Sequence, residues 1–295
     1  MELVIQDLSK RYPNGVQALS EVSLTIPAGM FGLLGPNGAG KSSLMRTIAT
    51  LQEADAGTIR FDGIDVLKKK ERVRELLGYL PQEFGVYPKV TAVALLDHLA
   101  VLKGIRDGKQ RREVVSGLLR RVNLEDAKHR RLGTFSGGMK QRFGIAQALL
   151  GDPKLVIVDE PTAGLDPEER VRFLNLLAEI GEDVVIILST HIVADVEDLC
   201  RQVAIISDGK VVRSGDPLEL IRELEGRIFR RFAAHDELAA LQAERRVVST
   251  RRVAGRLAIR VHSEAPPGPG FEPVAPDLED VYFLAIHATR AAAAS

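Results

Sequence analysis

The residues Gly35-Pro36-Asn37-Gly38-Ala39-Gly40-Lys41-Ser42 follow the pattern G-x-x-x-x-G-K-[ST]. No other stretch limits the possible folds so strongly. Before it, Met30-Phe31-Gly32-Leu33-Leu34 reads as a buried strand; after it, Ser43 to Ala49 reads as a helix. A strand, a glycine loop and a helix in that order cradle a chain of phosphates. The loop's backbone N–H groups point inward, and the helix N-terminus adds a favourable dipole. Gly35, Gly38 and Gly40 let the backbone curl close to phosphate with no Cβ in the way. Lys41 is placed to reach the β and γ phosphates of a nucleoside triphosphate, and the Ser42 hydroxyl to ligate Mg²⁺, which takes oxygen donors. Ser43 completes the candidate phosphate-binding set.

Around this loop strands alternate with helices, which predicts an α/β fold. Residues 2–8 and Leu19 to Ile26 alternate like strands, separated by the turn-rich Tyr12-Pro13-Asn14-Gly15. Gly57 to Phe61 predicts a short strand closed at Asp62-Gly63, and Leu76 to Leu80 another that ends at Pro81-Gln82. From about Val90 to Asn123 the leucines Leu95, Leu96, Leu99 and Leu102 recur at helical spacing, predicting a helical subdomain over about 88–150. Met139 to Leu150 reads as a helix. Leu155-Val156-Ile157-Val158 reads as a central parallel strand buried on both faces. Residues 167–180 predict a helix opened by Pro167, and Val184 to Leu188 a strand that runs into Ser189-Thr190-His191. Val203–Ile206 and Lys210–Arg213 predict a hairpin about Asp208-Gly209.

Past about Leu224 the pattern restarts. Arg227 to Phe232 and Leu257 to Val261 predict strands. Pro276-Asp277-Leu278-Glu279-Asp280 opens a last helix through Ile286 in the manner of a capping box. The expected organisation is one domain over 1–224 and a small, separate α+β appendage over 225–295.

Composition removes several function classes. Forty basic and forty acidic residues give a net charge of zero, so no global basic excess marks a nucleic-acid binder. The arginines between Arg227 and Arg260 have only Phe229 and Phe232 among them and read as a solvated face. Cys200 is the single cysteine, so no intramolecular disulfide can form. The first residues carry neither a basic start nor a long apolar run, predicting no signal peptide. Apolar runs such as Val184 to Leu188 are strand-sized, far below the roughly 18 residues that span a bilayer. A soluble, cytoplasmic chain is expected.

Two more stretches carry chemistry. Leu155 to Val158 ends in Asp159-Glu160, where one carboxylate can join a Mg²⁺ shell and the next can position water. Ser136-Gly137-Gly138 places a serine cap and two glycines at a helix start, a second anion site.

With these motifs in this order, the chain resembles the ATP-binding subunits of ABC transporters over roughly residues 1–222. Tyr79-Leu80-Pro81-Gln82 resembles the glutamine loop, Phe135-Ser136-Gly137-Gly138-Met139 the signature, Leu155–Asp159 with Glu160 the Walker B strand, Ala163-Gly164-Leu165-Asp166 the D-loop, and His191 the switch histidine. Tyr12 stands where the family places an aromatic that stacks on adenine. Phe135 and Met139 depart from the usual Leu and Gln, leaving Ser136 and both glycines in place. The resemblance implies an ABC-type phosphate-loop ATPase core: a β-rich N-terminal subdomain, a central mostly parallel sheet and a helical subdomain. It implies a head-to-tail dimer with Mg-ATP between the phosphate loop of one subunit and the signature of the other. Ser136 then meets the γ-phosphate in trans, Ser42, Gln82 and Asp159 hold the metal, Glu160 is the general base, and Gln82 and His191 complete the catalytic set.

The stretch Leu80 to Pro88 and the tail from Pro276 to Tyr282 resemble the ABC-2 exporter ATPases. In that group the ATPase is a homodimer, or pairs with a second ATPase subunit, and works beneath a separate membrane permease. That implies a peripheral place on the cytoplasmic face of the membrane. Nothing in the chain names the cargo. Other readings are a non-transport ABC ATPase that acts on a macromolecular partner and a module that holds ATP without turnover.

Overall fold

The computed structural model describes residues 1–294 except Glu83, Ala163, Glu182, His235 and Asp236. Glu83 of the glutamine-loop stretch and Ala163 of the D-loop stretch therefore lie outside the described residues.

The chain opens with β1 (Glu2–Arg11), β2 (Gln17–Pro27) and β3 (Gly29–Leu34), then α1 (Lys41–Ile48). β4 (Ala56–Phe61), β5 (Ile64–Asp65), α2 (Lys70–Leu76) and β6 (Leu77–Leu80) follow. Next come α3 (Ala92–Leu102), α4 (Gly108–Arg121) and α5 (Gly137–Ala148). β7 (Leu155–Asp159), α6 (Pro167–Ile180), β8 (Val185–Thr190), α7 (Val193–Leu199), β9 (Gln202–Ser207), β10 (Lys210–Gly215) and α8 (Pro217–Arg222) complete the core. The remainder is β11 (Ile228–Ala233), α9 (Leu238–Glu244), β12 (Arg246–Val253), β13 (Arg256–His262), β14 (Glu272–Pro273) and α10 (Leu278–Ala294).

The central six-stranded sheet runs β10-β9-β3-β8-β7-β6. Its β6, β7, β8, β3 and β9 are parallel, and β10 turns back antiparallel to β9. Side chains alternate across a strand, so each strand feeds two cores. Phe31, Leu33, Ile157 and Ile187 join the core beneath the sheet β2-β1-β4-β5 and α1. Leu34, Val158, Leu188 and Ile205 join the opposite core with α3 to α7. Burial on both faces explains the unbroken apolar runs of β7 and β8. No helix among the described residues is long and apolar enough to cross a membrane.

α3 and α4 form the helical region. Thr91 caps α3 by accepting from Ala94 N, and Asp107 caps α4 by accepting from Lys109 N and Gln110 N. The leucines at helical spacing divide: Leu95 and Leu96 are buried, while Leu102 is exposed at the helix end.

The C-terminal residues form a four-stranded sheet, β12-β13-β11-β14. The expected capping box is present: Asp280 N donates to Asp277 Oδ1 at 3.0 Å, and Asp277 N donates to Asp280 Oδ2 at 3.1 Å. α10 extends beyond Ile286 to Ala294, and Leu278, Val281 and Ile286 join the same core as Val196, Cys200 and Leu220. Leu278 N also donates to Glu197 Oε2 at 3.2 Å. The last helix therefore packs on two bodies at once, on α7 and α8 through Leu278, Val281 and Ile286 and on its own sheet through Leu284.

Candidate active site

Parallel pairing brings the candidate residues to one edge of the sheet. β3, β6, β7 and β8 all end on the same side, where crevices at strand carboxyl ends hold ligands. β3 runs into the phosphate loop, β6 into Pro81-Gln82, β7 into Asp159-Glu160 and β8 into Thr190-His191.

The phosphate loop wraps a cavity of about 450 Å³ lined by Tyr12, residues 36–43, Gln82 and Glu160. Gly40 has φ +107°, and a Cβ there would stand 2.4 Å from Ala18 O. Backbone conformation and crowding both demand glycine at this one position. Lys41 Nζ donates to Gly35 O at 2.7 Å and to Pro36 O at 3.2 Å. Burial lowers the Lys41 pKa, while the charges of Glu160 and Asp159 oppose that shift. Tyr12 reaches the start of α1, its hydroxyl 3.0 Å from Ser43 Oγ and from Gln52 Oε1.

Glu160 is the junction of the site. Its Oε2 is 3.4 Å from Gln82 Nε2 and 3.2 Å from His191 Nδ1, and its Oε1 is 4.0 Å from Lys41 Nζ. Its backbone is left-handed, with φ 46°, and its N–H donates to Ser189 O at 2.8 Å. Such a conformation in a non-glycine residue costs about 1 kcal/mol or more and here turns the carboxylate into the cavity. The neighbouring Asp159 is buried, and burial raises its pKa; the Glu160 charge adds to the rise, while Ser189, Lys41 and Ser42 oppose it.

The second candidate anion site stands apart. Ser136, Gly137, Gly138 and Asp166 are not in the cavity lining. Ser136 caps α5 by accepting from Met139 N at 3.2 Å. Asp166 caps α6 by accepting from Glu169 N at 2.8 Å. The two caps are linked: Arg142 of α5 donates to Glu169 of α6 at 3.2 Å. A Cβ on Gly138 would meet the Glu169 carboxylate at 2.4 Å, so the second signature glycine makes room for that link.

A buried network behind the site escaped the sequence reading. Asp195 of α7 is buried; it accepts from Thr162 Oγ1 at 2.9 Å and from Arg170 Nε at 2.7 Å. It therefore ties the helix that follows His191 to the segment that follows Glu160 and to α6. The available signal was spacing: Asp195 lies between the apolar Val193 and Val196, where a carboxylate needs a partner.

A family model for ABC transporters matches residues 19–163. The ABC transporter ATP-binding protein YxlF of Bacillus subtilis is 37% identical over 228 residues, 77% of this chain and 75% of that protein. This chain belongs to the ABC transporter ATP-binding proteins. As a member it is an ATP-binding, ATP-hydrolysing subunit that powers transport. The daunorubicin/doxorubicin resistance ATP-binding protein DrrA of Streptomyces peucetius is 33% identical, covering 86% of this chain and 75% of DrrA. Among solved structures, the ABC cassette MJ0796, a dimer in a post-hydrolysis state with ADP and Pi, matches with TM-score 0.66. It is 26% identical, covering 72% of this chain and 98% of the cassette. Subunits of this family dimerise and pair with membrane permeases.

Proposed function

We propose that this ABC ATPase drives export through a separate permease, working as a head-to-tail homodimer on the cytoplasmic face of the membrane. The observation that carries the reading is Glu160, held between Gln82, His191 and Lys41 at the mouth of the phosphate loop.

ATP lies along the loop, its phosphates on backbone N–H groups and Lys41, its adenine against Tyr12. Lys41 turns from the carbonyls of Gly35 and Pro36 to the β and γ phosphates. The donor set suits Mg²⁺: a hydroxyl from Ser42, a carboxylate from Asp159 and an amide oxygen from Gln82 are all hard oxygen ligands. When bound, the metal offsets charge on the β and γ phosphates.

Glu160 accepts a proton from the attacking water. That water's oxygen bonds to the γ-phosphorus as the bond to the bridging oxygen breaks and ADP leaves. His191 releases Glu160 and donates to the γ-phosphate. Ser136 and the α5 N-terminus of the second subunit close over the same phosphate, and Asp166 lines that junction. A boundary near residue 225 separates the ATPase domain from an accessory one, with α10 returning to the first.

The test is affinity purification of the tagged protein from gently solubilised native membranes. A polytopic membrane protein at comparable yield is expected. A clean preparation with no membrane companion overturns the permease reading and favours an ABC ATPase that acts on a macromolecular partner.

A further inference from the structure

The C-terminal sheet presents a long strand edge beside a helix. β12 ends the strand order and pairs on one side, with β13. Among the described residues, no other element's backbone bonds to its outer side. α10 packs across the adjoining face, with Leu284 against Ile228 and Val248. Between edge and helix lies a groove of about 1000 Å³, lined by residues 245–251 and by Glu279, Phe283 and His287 of α10. Six residues of strand, Arg246 to Arg251, give the groove a length of roughly 20 Å at about 3.3 Å per residue.

The groove's strand side carries one sign of charge. β12 reads Arg-Val-Val-Ser-Thr-Arg-Arg-Val and holds no acidic residue. Arg245 and Arg246 are exposed and have no carboxylate partner among the described residues. Arg251 is paired, to Glu279 at 2.6 Å, and that bridge closes one end of the groove. Ser249 Oγ is buried in the lining without a hydrogen-bond partner among the described residues. An open strand edge offers N–H and C=O groups to an extended segment. A second copy of β12 would add three more arginines and no acidic residue to an edge that already carries three, which repels. A strand of opposite charge meets no such barrier.

We propose that the groove between β12 and α10 binds an extended acidic peptide segment of a partner protein, which adds to the C-terminal sheet as a further strand. Main-chain pairing to β12 supplies affinity. The carboxylates of the segment meet Arg245 and Arg246, and its apolar side chains lie on Phe283.

The experiment titrates the full chain into a fluorescein-labelled octapeptide of alternating Glu and Val and follows anisotropy. Saturable binding is expected, weakened about tenfold or more by the double substitution Arg245→Glu, Arg246→Glu, with ATP hydrolysis unchanged. Strand addition uses one edge of the peptide. N-methylation of one alternate set of its amides therefore abolishes binding, and methylation of the other set leaves it. Should the double variant melt early, Arg245→Gln with Arg246→Gln replaces it; the methylated peptides need no variant. Absence of saturation overturns the proposal, as does equal binding of both methylated peptides. Competition by a single-stranded oligonucleotide of equal charge as strong as that by unlabelled peptide also overturns it, because the surface is then a general polyanion site.

Discussion

His191 Nδ1 lies 3.2 Å from Glu160 Oε2 although 31 residues separate them. Parallel pairing places them there: β7 and β8 run in register, with Asp159 opposite Ser189. The residues that follow each strand must then emerge side by side. The same edge receives Gln82 from β6, which pairs with β7 through Leu80 opposite Val158.

Glu160→Gln keeps the shape of the junction and removes the proton acceptor. ATP binding is expected to persist while steady-state phosphate release falls about a hundredfold or more. His191→Ala leaves Glu160 in place without its imidazole neighbour and should lower turnover by a smaller factor. Normal phosphate release from Glu160→Gln would remove Glu160 from the chemistry.

Asp195 acts through others. Asp195→Asn keeps an acceptor for Thr162 and loses the charge opposite Arg170. Arg170 is 32% exposed at its side chain, so solvent screens part of the loss, and about 1–2 kcal/mol of stability should go. The turnover number should fall with KM nearly unchanged, because the phosphate loop is untouched. A fall in stability alone, with normal turnover, would leave Asp195 a purely structural residue.

Asp159 sets a pH dependence whose sign is fixed. Its pKa in the fold is raised, mainly by burial, so the folded chain holds this proton more tightly than the unfolded one. The resulting contribution to stability is full below the ordinary carboxylate pKa and is lost as pH rises through the raised value. Mg²⁺ needs the deprotonated form, so its apparent affinity should rise with pH over the same window. Melting curves from about pH 4 to about pH 8, with and without Mg-ATP, check both trends. Asp159→Asn should flatten them, and chelation of Mg²⁺ should stop hydrolysis in the unaltered chain.

The start of α10 packs into the same core as α7 and α8, and its first residue is the place to test what that packing contributes. Leu278 is fully buried, so Leu278→Ala should cost about 2–4 kcal/mol and lower the melting midpoint of the whole transition. Loss confined to a separate, earlier transition would show that α10 stabilises the C-terminal sheet alone. The cap adds its own pH trend. Burial and the Asp277 charge raise the Asp280 pKa to about 6, so its contribution to stability fades as pH rises toward that value. Asp280→Asn should remove that slope.

Local chemistry made much of the fold legible. α6 begins at Pro167 and ends at Ile180 as its spacing predicts, and the hairpin turns at Asp208-Gly209. Short or irregular elements escaped: α2, α8 and α9 are too brief for a clear helical period, and arginines hide the strand character of β12. Of the candidate site, Lys41, Gln82, Glu160 and His191 converge, while Ser136 and Asp166 lie apart from them.

By itself the sequence determined the phosphate loop, the order of the family motifs and the parallel strands, because each rests on neighbours along the chain. Glycines that curl a loop, and apolar runs buried on two faces, are written locally. Only tertiary structure decided that Glu160 sits between Gln82 and His191, that Asp195 meets Thr162 and Arg170, and that α10 folds back on α7 and α8. Those arrangements depend on strand order and helix packing, which bring together residues whose separation in the chain carries no record of their distance in space.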